Sequence, residues 1–388
     1  MVLLFLILYT IMKIKNEGNT FFIGPEKISE IGLDSKLLNG KRKREHLDIS
    51  LNCDVNFKKI TAGFENYNFI HQALPEIDLS EIDLSIKIFG KQLSMPLMIS
   101  PLVGGIKETE EINKDLAKVA RICGIAMGIG SQRAGIEDFE VEKSYMIRDV
   151  APDILLFSNF GAVQLNYGFG LDECKKSIDM IEADGIILHL NSLQEAFQTE
   201  GNHNFKNLYF KIKDICKFLK KPVLIREVGF GISYEVAKKI INTGVSGIDV
   251  GGTGGTSWIE IEKIRSKNEI LKKVAESFLD WGIPTAESIR MVVKAVNEGS
   301  PNNHNQTGKT CIIASGGIRT GLDAAKAIAL GADMVGIALP ILKNISISVK
   351  HCVEYIKEIE TGLKIAMFGI GALKISDLKN TKFLIKIS

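Results

Sequence analysis

The stretch "GIDVGGTGGTSW" (247–258) decides how this chain is read. It begins as a short apolar run and ends in a turn where four of the six residues from Gly251 to Thr256 are glycine. An apolar run closed by bare backbone reads as a buried strand leaving a sheet through a tight turn. Main-chain N–H groups freed of side chains there can form an anion-binding concavity.

Working outward, the same pattern recurs from about Met95. Short apolar runs that mostly end in Gly, Ser or Asn are "PLMIS" (96–100), "AMGIGS" (126–131), "DILLFSN" (153–159) and "GIILHLN" (185–191). "PVLIREV" (222–228), "GIDVGG" (247–252), "CIIASGG" (311–317) and "DMVGIA" (333–338) complete the set. Continuous apolar character predicts strands buried on both faces, as in a parallel sheet. The intervening segments carry helical stripes: Ile112, Leu116, Val119, Ala120 and Cys123; Val236, Ala237, Ile240 and Ile241; Leu322, Ala325, Ala329 and Leu330. Helix starts are signalled by Ser233 and by Pro284 with Thr285. Eight strand–helix units over about 270 residues predict a (β/α)8 TIM barrel. A doubly wound sheet normally carries its glycine-rich turn after the first strand; here the glycine-rich turns follow the sixth and seventh.

The predicted organisation is an N-terminal extension (1–35), a lead-in segment (36–94) containing "GKRKREHLDI" (40–49), the barrel (95–370) and a C-terminal tail (371–388). Residues 298–310, "EGSPNNHNQTGKT", are expected as a surface insertion on the bottom face. Residues 1–11 are apolar but too short for a spanning helix and lack a cleavage pattern. A mis-assigned start with Met12 as initiator is the favoured reading, and a weakly membrane-associated leader is the alternative. The net charge of +2 gives no field for nucleic acid or membrane surfaces. Six scattered cysteines without a Cys-x-x-Cys pair argue against a zinc cluster or disulfide framework and fit a reducing cytoplasm.

In a barrel, working residues sit at the C-terminal strand ends. Those ends are Gly104–Gly105, Ser131–Gln132–Arg133, Asn159, His189 with Asn191, Arg226, Gly251–Gly252, Gly316–Gly317 and Ala338. Strand alternation puts His189 and Asn191 on one face. If Arg226 faces the mouth, Glu227 faces the helix layer. "SGGIRTG" (315–321) with Arg319, "GIALP" (336–340) and "GGTGGT" with Thr256 together predict a site for a phosphate or a phosphorylated cofactor, although glycines also serve simple tight turns. "KRKREH" (41–46) is either a second anion site, joined by Arg133, or a solvated charged face. "HLNSLQE" (189–195) offers Glu195 as a single carboxylate for Mg2+. No Gly-x-Ser-x-Gly elbow and no cysteine at a strand end suggest a covalent nucleophile.

Together these motifs resemble the type 2, flavin-dependent isopentenyl-diphosphate isomerases. "RKREH" (42–46), "GSQR" (130–133), "HLNSLQE" (189–195), "EVGFGIS" (227–233), "DVGGTGGTSW" (249–258), "WGIPT" (281–285), "ASGGIRTG" (314–321) and "GIALPIL" (336–342) carry the resemblance over about 300 residues in order. The resemblance implies a TIM barrel binding FMN and Mg2+, reduced through NADPH, that interconverts isopentenyl and dimethylallyl diphosphate. It assigns Arg42, Lys43, His46, Ser131, Gln132 and Arg133 to the prenyl diphosphate. Leu102, Val103, Gly104, Ser131, Asn159, Arg226, Gly251, Thr256, Gly317, Ile318, Arg319, Ala338 and Leu339 would hold FMN. Gln194, with His189 and Asn191, would lie at the reacting carbons, and Glu195 would bind Mg2+. A homo-oligomer, tetramer or octamer, is expected on the same ground. Two departures stand against the cofactor: Leu102–Val103 where the family usually has Met-Thr, and Arg226 where it usually has Lys. The rival readings are another FMN barrel, such as an α-hydroxy-acid oxidase, and a diverged binder of FMN or prenyl diphosphate.

Overall fold

The computed structural model describes residues 39–299 and 310–387, together with the backbone of 14–16, 19–21 and 25–38. The barrel strands are β1 (Leu97–Ile99), β2 (Ala126–Gly128), β3 (Leu156–Gly161), β4 (Gly185–Leu190), β5 (Val223–Glu227), β6 (Gly247–Asp249), β7 (Cys311–Ser315) and β8 (Met334–Ile337). Each pairs in parallel with the next, and β8 closes on β1 through Val335–Leu97, Gly336–Met98 and Ile337–Ile99. All eight apolar runs become strands, shortened where glycine-rich ends turn away.

Alternation along the strands makes the barrel interior and positions the site. Met98, Ala126, Phe157, Ile187, Leu224, Ile313 and Met334 pack together inside. Their neighbours two residues on, including Ser100, Asn159, His189, Arg226 and Ser315, face the same way one layer higher. The interior therefore changes from apolar to polar towards the C-terminal mouth. At the opposite end, a hairpin of Ile86–Ile88 and Lys91–Leu93 adds Ile88, Phe89 and Leu93 to the inner cluster. Phe89 meets Phe157 edge-on, with ring centroids 5.5 Å apart. This plugs the bottom; fully burying one such side chain contributes about 1.5–3 kcal/mol.

The outer core lies between strands and helices. Thr109–Cys123 buries Leu116, Ala117, Val119 and Ala120, ending at Gly124 in the left-handed region. Two stripe residues do not behave as expected. Val236 and Leu322 are 41% and 46% exposed, because each lies in the first turn of its helix at the solvent edge of the stripe.

The lead-in contributes a long helix, α1 (Pro25–Asn52), where only a polar-to-apolar segment was expected. The tail is tied to the lead-in, since Leu384–Lys386 pairs antiparallel with Tyr67–Phe69. Residues 1–11 and most of the 298–310 insertion lie outside the described residues. Among the described residues, no helix is long and apolar enough to cross a membrane.

Candidate active site

A deep cleft occupies the C-terminal mouth. Helix α1 covers it with Asn39, Arg42, Lys43, His46, Leu47 and Ser50. These positions fall three or four residues apart, so a single helical face carries them all. Of the residues assigned from sequence, every one except Gln132 lines this cleft. Gln132 is fully buried behind it: its amide donates to Ser177 O at 2.9 Å, and its oxygen accepts the Asn159 N–H at 3.0 Å. It shapes the wall from behind, and a direct contact to diphosphate is not what its geometry offers.

One end of the cleft is built of backbone. Gly316 and Gly317 have φ of 105° and 73°, a conformation L side chains rarely adopt. A Cβ on Gly316 would lie 2.1 Å from Gly252 O, and one on Gly255 would lie 2.6 Å from Gly317 N. The turns after β6 and β7 are thus packed main chain to main chain, which answers why side chains are excluded from 251–255. Phe57 N–H donates to Gly255 O and Ser257 N–H to Val55 O, so the lead-in braces this turn. Arg319 Nη2 donates to Asn56 Oδ1 at 3.1 Å, holding the guanidinium at the same end.

Below lies a polar layer that the sequence only half revealed. Arg226 pairs with Asp249 and donates to Ser100 Oγ at 3.1 Å; Ser315 Oγ donates to Asp249 Oδ1 at 2.5 Å. The two strands are in register here, Arg226 opposite Asp249. Asp249 is completely buried. Glu227 points away from the mouth, as alternation requires, and accepts the N–H groups of Gly229 and Phe230. Burial pushes its carboxyl up to about 8, opposed by those amides. His189 Nδ1 lies 3.0 Å from Asn159 Oδ1, which places its proton on Nδ1 and leaves Nε2 as an acceptor. Burial, then the charges of Arg226 and Lys43, push its pKa down to about 3, so the ring is neutral. Asn159 Nδ2 and Asn191 Oδ1 are buried with no partner. Such orphaned groups are costly unless something binds them.

The opposite end is charged. Lys43 Nζ donates to Ser131 O and Tyr145 Oη, both at 2.9 Å, and to Gly104 O. Burial, with Arg42 and Arg133 nearby, pushes its pKa down to about 7. Glu195 accepts from Asn191 Nδ2 at 2.9 Å and from the Asn202 N–H at 2.6 Å. Arg133 donates to Glu137 at 2.9 Å and to Asn202 Oδ1 at 3.0 Å.

Sequence reading missed Glu262 and Trp258, both on the helix Trp258–Arg265. Glu262 Oε1 accepts from His46 Nε2 at 2.9 Å and Gln194 Nε2 at 3.4 Å, while Oε2 accepts from Arg265 at 2.7 Å. Burial raises its pKa, but the hydrogen bond from His46 and the charges of His46 and Arg265 outweigh this and hold it below the usual range. Trp258 meets the His46 ring edge-on at 5.3 Å. The available signal was the i, i+4 spacing of Trp258 and Glu262, which puts both on one face directly after the glycine turn.

The residues fit the implied groups unequally. A backbone cradle closed to any Cβ and flanked by Arg319 and Thr256, in a cleft that Asn159 and Asn191 also line with one orphaned amide atom each, suits a ligand with a phosphate and a polar planar ring. For a divalent cation there is one carboxylate, Glu195, and no cluster of three potential ligands among the described residues. That suits an ion completed by phosphate oxygens and water.

Residues 40–147 and 182–385 match the FMN-dependent dehydrogenase family. The fold agrees: a solved flavocytochrome b2 with pyruvate bound superposes with a TM-score of 0.64 at 16% identity, covering 88% of this chain and 82% of that one. The chain therefore belongs to the FMN-dependent dehydrogenase family of α/β barrels. Within it, the chain is 45% identical over 341 residues to the isopentenyl-diphosphate delta-isomerase of Oceanobacillus iheyensis, spanning 88% of this chain and 95% of that protein. It is 46% identical over 337 residues to the isopentenyl-diphosphate delta-isomerase of Synechocystis, spanning 87% and 93%. It belongs to the isopentenyl-diphosphate delta-isomerase family.

Proposed function

We propose that this chain binds FMN and isomerises isopentenyl diphosphate to dimethylallyl diphosphate, with reduced flavin, Mg2+ and NADPH as the source of electrons. The observation that carries the reading is one cleft joining a side-chain-free backbone cradle at β6–β7 to a cationic end at α1 and β2. A flavin phosphate takes the first and a substrate diphosphate the second.

Moving a double bond adds a proton at one carbon and removes one from another. When bound, reduced FMN supplies a ring that can give and take protons near its central nitrogens. Arg42, Arg133 and Ser131 hold the diphosphate with the Lys43 cation beside them, and the fork of each Arg matches phosphate oxygens. Glu195 provides the protein ligand for Mg2+. The Gln194 amide is fixed between Asn191, which donates to its oxygen at 3.3 Å, and Glu262, which accepts from its nitrogen. Glu262 thereby orients Gln194 and His46 together. Neutral His189 presents Nε2 as an acceptor, and Arg226, partly compensated by Asp249, stabilises negative charge at the base of the cleft. Leu342 and Trp258 supply apolar wall for the prenyl chain, while Leu102 and Val103 stand against the flavin. Helix α1 excludes water from above. The reading extends to a cytoplasmic homo-oligomer.

The test is an anaerobic assay with FMN, dithionite or NADPH, and Mg2+, following dimethylallyl diphosphate by proton NMR. Product formation that requires both flavin and reductant supports the reading. Absence of product from fully loaded protein whose flavin is bleached by the reductant defeats it.

A further inference from the structure

We infer that Asn202, which does not itself line the cleft, is a positioning residue that fixes Arg133 and Glu195 relative to each other; the inference rests on the proposed diphosphate and Mg2+ roles of those two side chains. The helix Ser192–Phe197 follows β4, and the loop after it returns to Glu195 on that helix. Asn202 sits at this return. Its Oδ1 accepts from Arg133 Nη1 at 3.0 Å and from Gln164 Nε2 at 2.9 Å. Its backbone N–H donates to Glu195 Oε2 at 2.6 Å. One residue therefore touches side chains delivered by the ends of β2, β3 and β4.

The loop has no room to slide. A Cβ on Gly201 would lie 1.9 Å from Glu195 O, and His203 Nε2 lies 2.8 Å from that same oxygen. Without the Asn202 oxygen, the one side-chain hydrogen bond left to Arg133 among the described residues is that to Glu137 on its own helix. Its guanidinium would then follow Glu137 outward, away from Glu195. A guanidinium and a carboxylate-bound cation can grip one diphosphate together only if their spacing is set in advance.

Replacement by alanine removes the side-chain oxygen but keeps the backbone bond to Glu195, so the effect must travel through Arg133 and Gln164. With FMN-loaded full-length protein, calorimetric binding of inorganic pyrophosphate with Mg2+ is measured alongside KM and kcat for isopentenyl diphosphate. Asn202→Ala is expected to raise the pyrophosphate Kd and KM about tenfold, as suits loss of a hydrogen bond to a charged group, with kcat and the flavin spectrum nearly unchanged. Asn202→Ser, which keeps a shorter acceptor, is expected to shift both in the same direction by less, and it serves if the alanine variant does not fold. In an Arg133→Ala background the Asn202→Ala effect is expected to fall below about twofold, since coupled residues are not additive. Unchanged KM and Kd, loss confined to kcat, or full additivity with Arg133→Ala would overturn the inference while wild-type turnover keeps the functional reading intact. Wild-type protein that neither binds pyrophosphate nor turns over removes the reading itself, and the inference with it.

Discussion

Arg226 and Asp249 stand opposite each other on adjacent parallel strands and form an ion pair inside the barrel, one layer above its apolar filling. Asp249 is fully buried and Arg226 nearly so, reached by water only from the cleft, so neither charge is well solvated. Removing one partner leaves the other uncompensated. Asp249→Ala is expected to cost about 3–5 kcal/mol, measured by urea unfolding of the cofactor-free protein. A loss below about 1 kcal/mol would show that the charge is compensated elsewhere.

Gly255→Val tests the backbone cradle. Its Cβ would press on the Gly317 amide, displacing the N–H groups proposed to hold the flavin phosphate. Flavin affinity is expected to fall at least about tenfold, a change of roughly 1.4 kcal/mol, while far-UV circular dichroism stays unchanged. Unaltered flavin binding would place the phosphate elsewhere.

Lys43 makes the cationic end sensitive to pH. Its folded pKa of about 7 lies below the ordinary 10.5, owing to burial and then to Arg42 and Arg133, with Glu137 opposing. Between those values the unfolded chain holds a proton that the folded chain has lost, so stability gains as pH rises from 7 and loses as it falls. Diphosphate binding needs the cation and runs the other way. KM is expected to rise between pH 6.5 and 8.5, and Lys43→Met is expected to flatten both trends, read from KM profiles and thermal melts.

Glu262→Gln keeps the shape but weakens the acceptor shared by His46 and Gln194. Turnover is expected to fall about tenfold or more, in line with charge-assisted bonds being roughly twice as strong as neutral ones, with a smaller change in flavin affinity. Steady-state kinetics beside a flavin titration separates the two.

Much of this site was legible because the chain alternates: an inward Ile187 implies an inward His189, and an inward Leu224 implies an inward Arg226. The glycine turns were legible because only glycine tolerates backbone packed on backbone. What could not be read was partnership across the sequence. Nothing near Arg226 announces Asp249, 23 residues on, and nothing near His46 announces Glu262, 216 residues on. Gln132 looked like its neighbours Ser131 and Arg133, yet it turns behind the wall because successive residues at a strand end point to different sides. Helix α1 was written in the spacing of Asn39, Arg42, His46 and Ser50, but its charged run reads equally well as a solvated face.

The central claim is a redox-neutral isomerisation that needs reduced flavin without consuming it. The direct measurement is the ratio of dimethylallyl diphosphate formed to flavin reoxidised, under strict anaerobiosis after one photoreduction of the loaded protein. Many equivalents of product per flavin, with the spectrum still bleached, is the result this account requires. Product limited to one equivalent, or flavin reoxidised in step with substrate loss, would contradict it.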